Sequence, residues 1–117
     1  MDDIIDLPEV LERVQNDKGL LLELFDIFED DFNKKRQTLG AAIAAGDFDK
    51  IKEAAHSIKG ASGNLSAKSM HAACVQFEQL AKSNSTAGMA DLVKTIDGQF
   101  EQVKVFAARL KKQWTGG

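Results

Sequence analysis

Residues 56–63 read His-Ser-Ile-Lys-Gly-Ala-Ser-Gly, which sets an imidazole beside an ammonium group and two positions that carry no side chain. The segment lies in a helical pattern, so spacing translates into direction. At about 100° per residue, His56, Lys59, Gly60 and Gly63 fall in one sector roughly 100° wide. Lys52, one turn earlier, borders it, while Ile51, Ala54, Ala55, Ile58 and Leu65 take the opposite side. A helix that only packed would hold no glycines there, since each costs about 1 kcal/mol relative to alanine. Bare backbone next to an outward imidazole implies that something large comes close to the ring.

Imidazole can take up and release a group near neutral pH without a separate base. If the group is phosphoryl, the remaining work is positioning and charge stabilisation. Lys59 at i+3 and Lys52 at i−4 can both reach an anion on the ring. A lone histidine on a helix is usually structural or simply exposed; the lysine and the glycines are what weigh against that here. His71 and Cys74 have an i, i+3 spacing, but two ligands without a third make a poor metal site, and no metal is expected. Glu78 and Gln79 border the His56 surface at most, and solvation is their expected role.

The elements that must position this segment read almost entirely as helix. Pro8 fits the first turn of a short opening helix capped near Asp6 or Leu7 and ending near Asn16. Asp17 caps a second, with Leu20, Leu21, Leu24, Phe25, Ile27, Phe28 and Phe32 as its apolar stripe; Leu22 falls off that stripe. A third covers Asn33 to Ala45, facing inward with Leu39, Ala42 and Ile43. Gly46-Asp47 is a stop followed by a start. The fourth helix, about 47–64, carries His56. Asn64 or Ser66 caps a fifth with Met70, Cys74, Phe77 and Ala81 at helical spacing. Residues 83–88 are a loop, and a last helix from about 89 to 113 carries Leu92, Val93, Ile96, Phe100, Val103, Phe106, Ala107 and Leu110. Trp114 is placed over the end of the bundle, and the last few residues are expected to be disordered. The pattern predicts an all-α protein: an antiparallel up-and-down four-helix bundle with additional short N-terminal helices, in one domain over 1–117.

Composition sets the outer limits. The chain has 117 residues, 44% hydrophobic and 28% charged, and a formal net charge of -3, which argues against nucleic acid as a partner. One cysteine excludes an internal disulfide and fits a reducing compartment. No apolar run approaches the roughly 20 residues that span a bilayer, and Met-Asp-Asp has the wrong charge for a secretory signal. Cytoplasmic localisation, no membrane contact and a monomer are the expectations.

Ala55-His56-Ser57-Ile58-Lys59-Gly60, followed by Gly63, resembles the H-x-x-K-G signature of histidine-containing phosphotransfer (HPt) domains. The likeness extends to the acidic, Leu/Phe-rich second helix, the Ala-Ala-Gly-Asp-Phe connection before the motif and the Cys74…Phe77-Glu78…Leu80 helix after it. The resemblance implies that His56 accepts a phosphoryl group from one receiver aspartate and passes it to another. It implies that Lys59 steadies the phosphoryl oxygens and that Gly60 gives the receiver access, with Lys52 and Gly63 as further binding positions. The implied partners are response-regulator receiver domains and a possible hybrid sensor histidine kinase. No intrinsic cofactor is implied, the receiver supplying Mg²⁺, and no ATP-dependent kinase activity is expected. The chain departs from the family at Ser66, where many members have glycine ten residues after the histidine; a changed helix cap is the expected consequence. Two other readings compete: a non-catalytic helical docking module, and a small enzyme using His56 as a general base. The second lacks a companion catalytic group.

Overall fold

The computed structural model describes residues 4–115, which form five helices: α1 (Leu7–Arg13), α2 (Lys18–Ala45), α3 (Phe48–Asn64), α4 (Lys68–Lys82) and α5 (Met89–Trp114). Helices α2 to α5 make the antiparallel bundle. The α3 helix packs on α2 and α4, and α5 closes the ring by packing on α4 and α2. The body is elongated, 48 × 23 × 21 Å. Of the last few residues expected to be disordered, Thr115 is described and bonds back to the Lys111 carbonyl through its N–H and hydroxyl, and Gly116 and Gly117 lie outside the described residues.

Local chemistry explains most of the boundaries. Asp6, Asp17 and Asp47 are N-caps whose carboxylates accept the backbone N–H groups of Glu9, Leu20 and Lys50. Gly46 ends α2 at φ +66°, a left-handed conformation that glycine adopts without cost. The opening helix is shorter than its pattern predicts, because Gln15 and Asn16 both turn left-handed.

Two expected helices are one. No break occurs at Asn33, and α2 runs for 28 residues, about 42 Å at the usual rise. Lys34, Lys35, Arg36 and Gln37 are all good helix formers. Asp31 pairs with Lys35 at i, i+4 in the favourable orientation across the expected break. A single short helix, α1, therefore precedes the bundle among the described residues. The apolar stripe is also narrower than its periodicity suggests: Leu21, Phe25, Phe28 and Phe32 are buried, whereas Leu20 and Ile27 are exposed, Ile27 by 62%. Leu22 is half-buried against the core.

The core joins all five helices. Its centre is aromatic where α2 meets α5: Phe32 stacks on Phe100 at 4.1 Å, and Phe28 approaches Phe100 at 6.0 Å. Arg36 ties the same two helices from outside, its Nε and Nη2 donating to both carboxylate oxygens of Asp97 at 2.7 and 3.1 Å. Trp114 is half-buried at the end of α5, with the Lys18 ammonium 5.3 Å from its ring.

The α3–α4 turn corrects a second expectation. The N-cap of α4 is Ala67, without a side-chain cap bond, and not Asn64 or Ser66. Ser66 sits at φ +56°, in the left-handed region that glycine favours. Its backbone carbonyl accepts the N–H of Asp6 at 3.0 Å, and its buried hydroxyl donates to Glu9 at 2.8 Å. Ser66 thus fastens α1 to the turn instead of capping a helix.

Candidate functional site

His56 lies at the middle of α3, on the face turned away from the bundle. Ile51, Ala54, Ala55 and Ile58 are buried on the opposite face and fix the rotation of the helix. The imidazole is 71% exposed. Gly60 is also exposed, and a Cβ there would meet nothing within 4 Å. Lys52 is exposed one turn earlier. The sector predicted from spacing therefore exists, with one exception: a Cβ on Gly63 would lie 3.5 Å from the His71 ring. Gly63 is half-buried against α4 and leaves room for His71 more than for an outside partner.

Glu78 of α4 borders the His56 surface as the sequence allowed, but it does more there than meet solvent. Its Oε1 lies 2.7 Å from Lys59 Nζ and 3.6 Å from His56 Nδ1. The charged group that pairs with the ring is consequently an anion, and Lys59 reaches the site already paired. Both members are largely shielded, at 23% and 22% side-chain exposure. Oε1 is itself buried and has no aligned hydrogen bond, so charge holds the contact. Burial raises the pKa of this carboxyl, but the close contact and positive charge of Lys59, then His56, outweigh it and hold the group below the ordinary carboxylate value. Its place four residues after Cys74, on a helix with a clear apolar face, was readable. Which element that polar face meets was not.

The arrangement distinguishes the two ring nitrogens. Nδ1 is on the Glu78 side, at a distance too long for a hydrogen bond but suited to a proton directed at a carboxylate. Nε2 is the ring nitrogen without this carboxylate contact. Beneath the site Cys74 is buried, and desolvation, reinforced by the charge of Glu78 and opposed by Lys59, pushes its thiol to about 12. It is no candidate nucleophile. No group of three metal-ligating side chains occurs among the described residues.

On the α2 side, a groove of about 300 Å³ runs between Leu24, Ile27, Asp31 and Lys35 and, on α3, Ala61 and Asn64. Asn64 lies one turn beyond Gly60, so the groove adjoins the His56 face.

Fold and site define a helical bundle that presents one exposed imidazole on its flank, backed by an ion pair. The Hpt domain family model matches residues 23–106, and the chain belongs to that family. Its role is histidine phosphotransfer in a phosphorelay, in company with response-regulator receivers. Among solved structures, it is similar to histidine-containing phosphotransfer protein B from Pseudomonas aeruginosa PAO1. The two are 24% identical with a TM-score of 0.87, covering 97% of this chain and 98% of that one. At that identity the likeness establishes the fold. A search of curated proteins gave no match. No described helix is long and apolar enough to cross a membrane.

Proposed function

We propose that His56 is the phosphoacceptor and that this chain relays a phosphoryl group between the aspartates of two receiver domains. The observation that carries the reading is the contrast between the two histidines. His56 is 71% exposed beside Lys59 and Gly60, whereas the half-buried His71 packs its ring toward Gly63.

In this reading Nε2 attacks the phosphorus of a receiver aspartyl phosphate. The N–P bond forms, the P–O bond to the aspartate breaks, and its electron pair leaves on the carboxylate. Lys59, with Lys52 at the border, faces the phosphoryl oxygens. Gly60 lets the receiver backbone come close, and Ile27 in the adjoining groove offers it an apolar foothold. The second transfer is the same step in reverse toward another receiver. Mg²⁺ comes with the receiver, and the chain acts as a cytoplasmic monomer, with a hybrid sensor kinase as a candidate donor.

The test is incubation with a panel of receivers charged with acetyl phosphate. Acid-labile, base-stable label should appear on the protein and vanish in His56→Gln. Label that persists in that variant, or partner output that it leaves unchanged, would overturn the reading; unchanged output would favour a docking module.

A further inference from the structure

Lys59 is not free in this structure. Its ammonium is 2.7 Å from Glu78 Oε1, and the same oxygen is 3.6 Å from His56 Nδ1. One carboxylate therefore holds the cation that a phosphoryl group on Nε2 requires, and stands close behind the ring that would carry it. The contact lacks hydrogen-bond alignment although Oε1 is buried. It is an electrostatic hold that a stronger anion can break.

We infer that Glu78 is a positioning residue that sets the poise of the relay by competing with the phosphoryl group for Lys59. The inference rests on His56 being the phosphoacceptor. When the N–P bond forms and the aspartate departs with the electron pair of the broken P–O bond, the Nδ1 proton stays on the ring. The group arriving on Nε2 carries about two negative charges. Lys59, at i+3 from His56, must then turn from Glu78 to the phosphoryl oxygens or be shared between them. Either way Glu78 is left beside a new anion with its partner drawn away. That repulsion raises the free energy of the phosphorylated protein relative to the phosphorylated receiver. The phosphoryl group is held loosely enough to be handed on, which suits an intermediate better than an end point. The positive charge that phosphorylation leaves on the ring attracts Glu78 and offsets part of the effect. The outer anion still prevails, because it carries the larger charge and competes for the same cation.

Glu78→Gln keeps the size and the polar end of the side chain and removes its charge. With a receiver that charges the wild-type protein, the equilibrium should shift toward phosphorylated His56 by about tenfold. That lies toward the weaker end of what a unit charge at this distance does near a protein surface. In a Lys59→Met background the same substitution should shift it much less, because the competition has lost its object. An equilibrium unchanged by Glu78→Gln, or moved toward the receiver, overturns the inference. An equal shift in both backgrounds overturns it too, since a structural role needs no Lys59. If no receiver labels the wild-type protein, the fault lies with the reading of His56; a wild type that labels while the equilibrium ignores Glu78 convicts the inference alone. Circular dichroism of both variants confirms that they are folded.

Discussion

Lys59 and Glu78 form an ion pair across the α3–α4 seam, directly behind an exposed imidazole. The pair gives the site a property that neither helix has alone. The cation is held within one carboxylate of the ring and is neutralised there by Glu78. Its partial shielding from solvent lets it act over this distance more strongly than a surface pair would.

Gly60 separates access from stability. A Cβ there meets open space, so Gly60→Ala should stabilise the fold by about 0.5–1 kcal/mol through helix propensity. Gly60→Phe should fold equally well but slow phosphoryl uptake from a receiver by at least about tenfold, the loss expected when a reactant is displaced by an ångström or more. Urea melts and a transfer time course check the two halves. Wild-type transfer by the phenylalanine variant would show that nothing large approaches this face.

Ser66 should reveal two opposed effects. Its left-handed backbone favours glycine, while its hydroxyl bond to the Glu9 carboxylate favours serine. Ser66→Ala removes the bond and keeps the strain, at a cost of about 1.5–3 kcal/mol. Ser66→Gly removes both and should lie within about 1 kcal/mol of wild type. Denaturant midpoints measure the order, and an alanine variant as stable as the glycine variant would contradict it.

The same cluster predicts an acid limb. Asp6 is held below its ordinary 3.8 chiefly by the backbone N–H of Glu9, then by Lys68. Glu9 is held below 4.5 by hydrogen bonds from Lys68 and Ser66. Carboxylates with depressed folded values stabilise above their unfolded values, and the contribution disappears as pH falls through the folded ones. Lys68 is raised above 10.5, chiefly by its bond to Glu9, so its share is complete below that pH and is lost only as pH rises through the raised value. Stability should therefore decline as pH drops below about 4.5, and Glu9→Gln should flatten that decline. Urea melts between about pH 5 and pH 3 decide it; equally steep limbs would sink the assignment.

Cys74 should be silent. With its thiol pushed to about 12 and its side chain buried, it should resist a disulfide reagent at about pH 8 in the native protein and react promptly in urea. Rapid native labelling would mean that the α3–α4 seam opens readily.

Much of the site was legible because it lies on one helix. The backbone period alone puts His56, Lys59 and Gly60 on one face, and Asp47 and Gly46 mark where that helix begins and the previous one stops. The resemblance to the HPt family rested on the same residues. Gly63 shares that sector but also faces His71 of α4, and helical angle cannot say where a neighbour begins. Ile27 and Leu20 were misread for a similar reason, since periodicity defines a stripe without defining how much of it another helix covers. The break expected at Asn33 failed because asparagine only permits a helix to end; the basic run after it and the Asp31–Lys35 pair carry the helix through.

By itself, then, the sequence determined the helices, most of their caps and the exposed imidazole with its cation and its clearance, all consequences of interactions within about one turn. Only the tertiary structure decided that Glu78 claims Lys59, that His71 fills the space beside Gly63 and that Ser66 fastens α1. Each of those depends on how far one helix slides and rotates against another, and side-chain packing across the whole bundle sets that register.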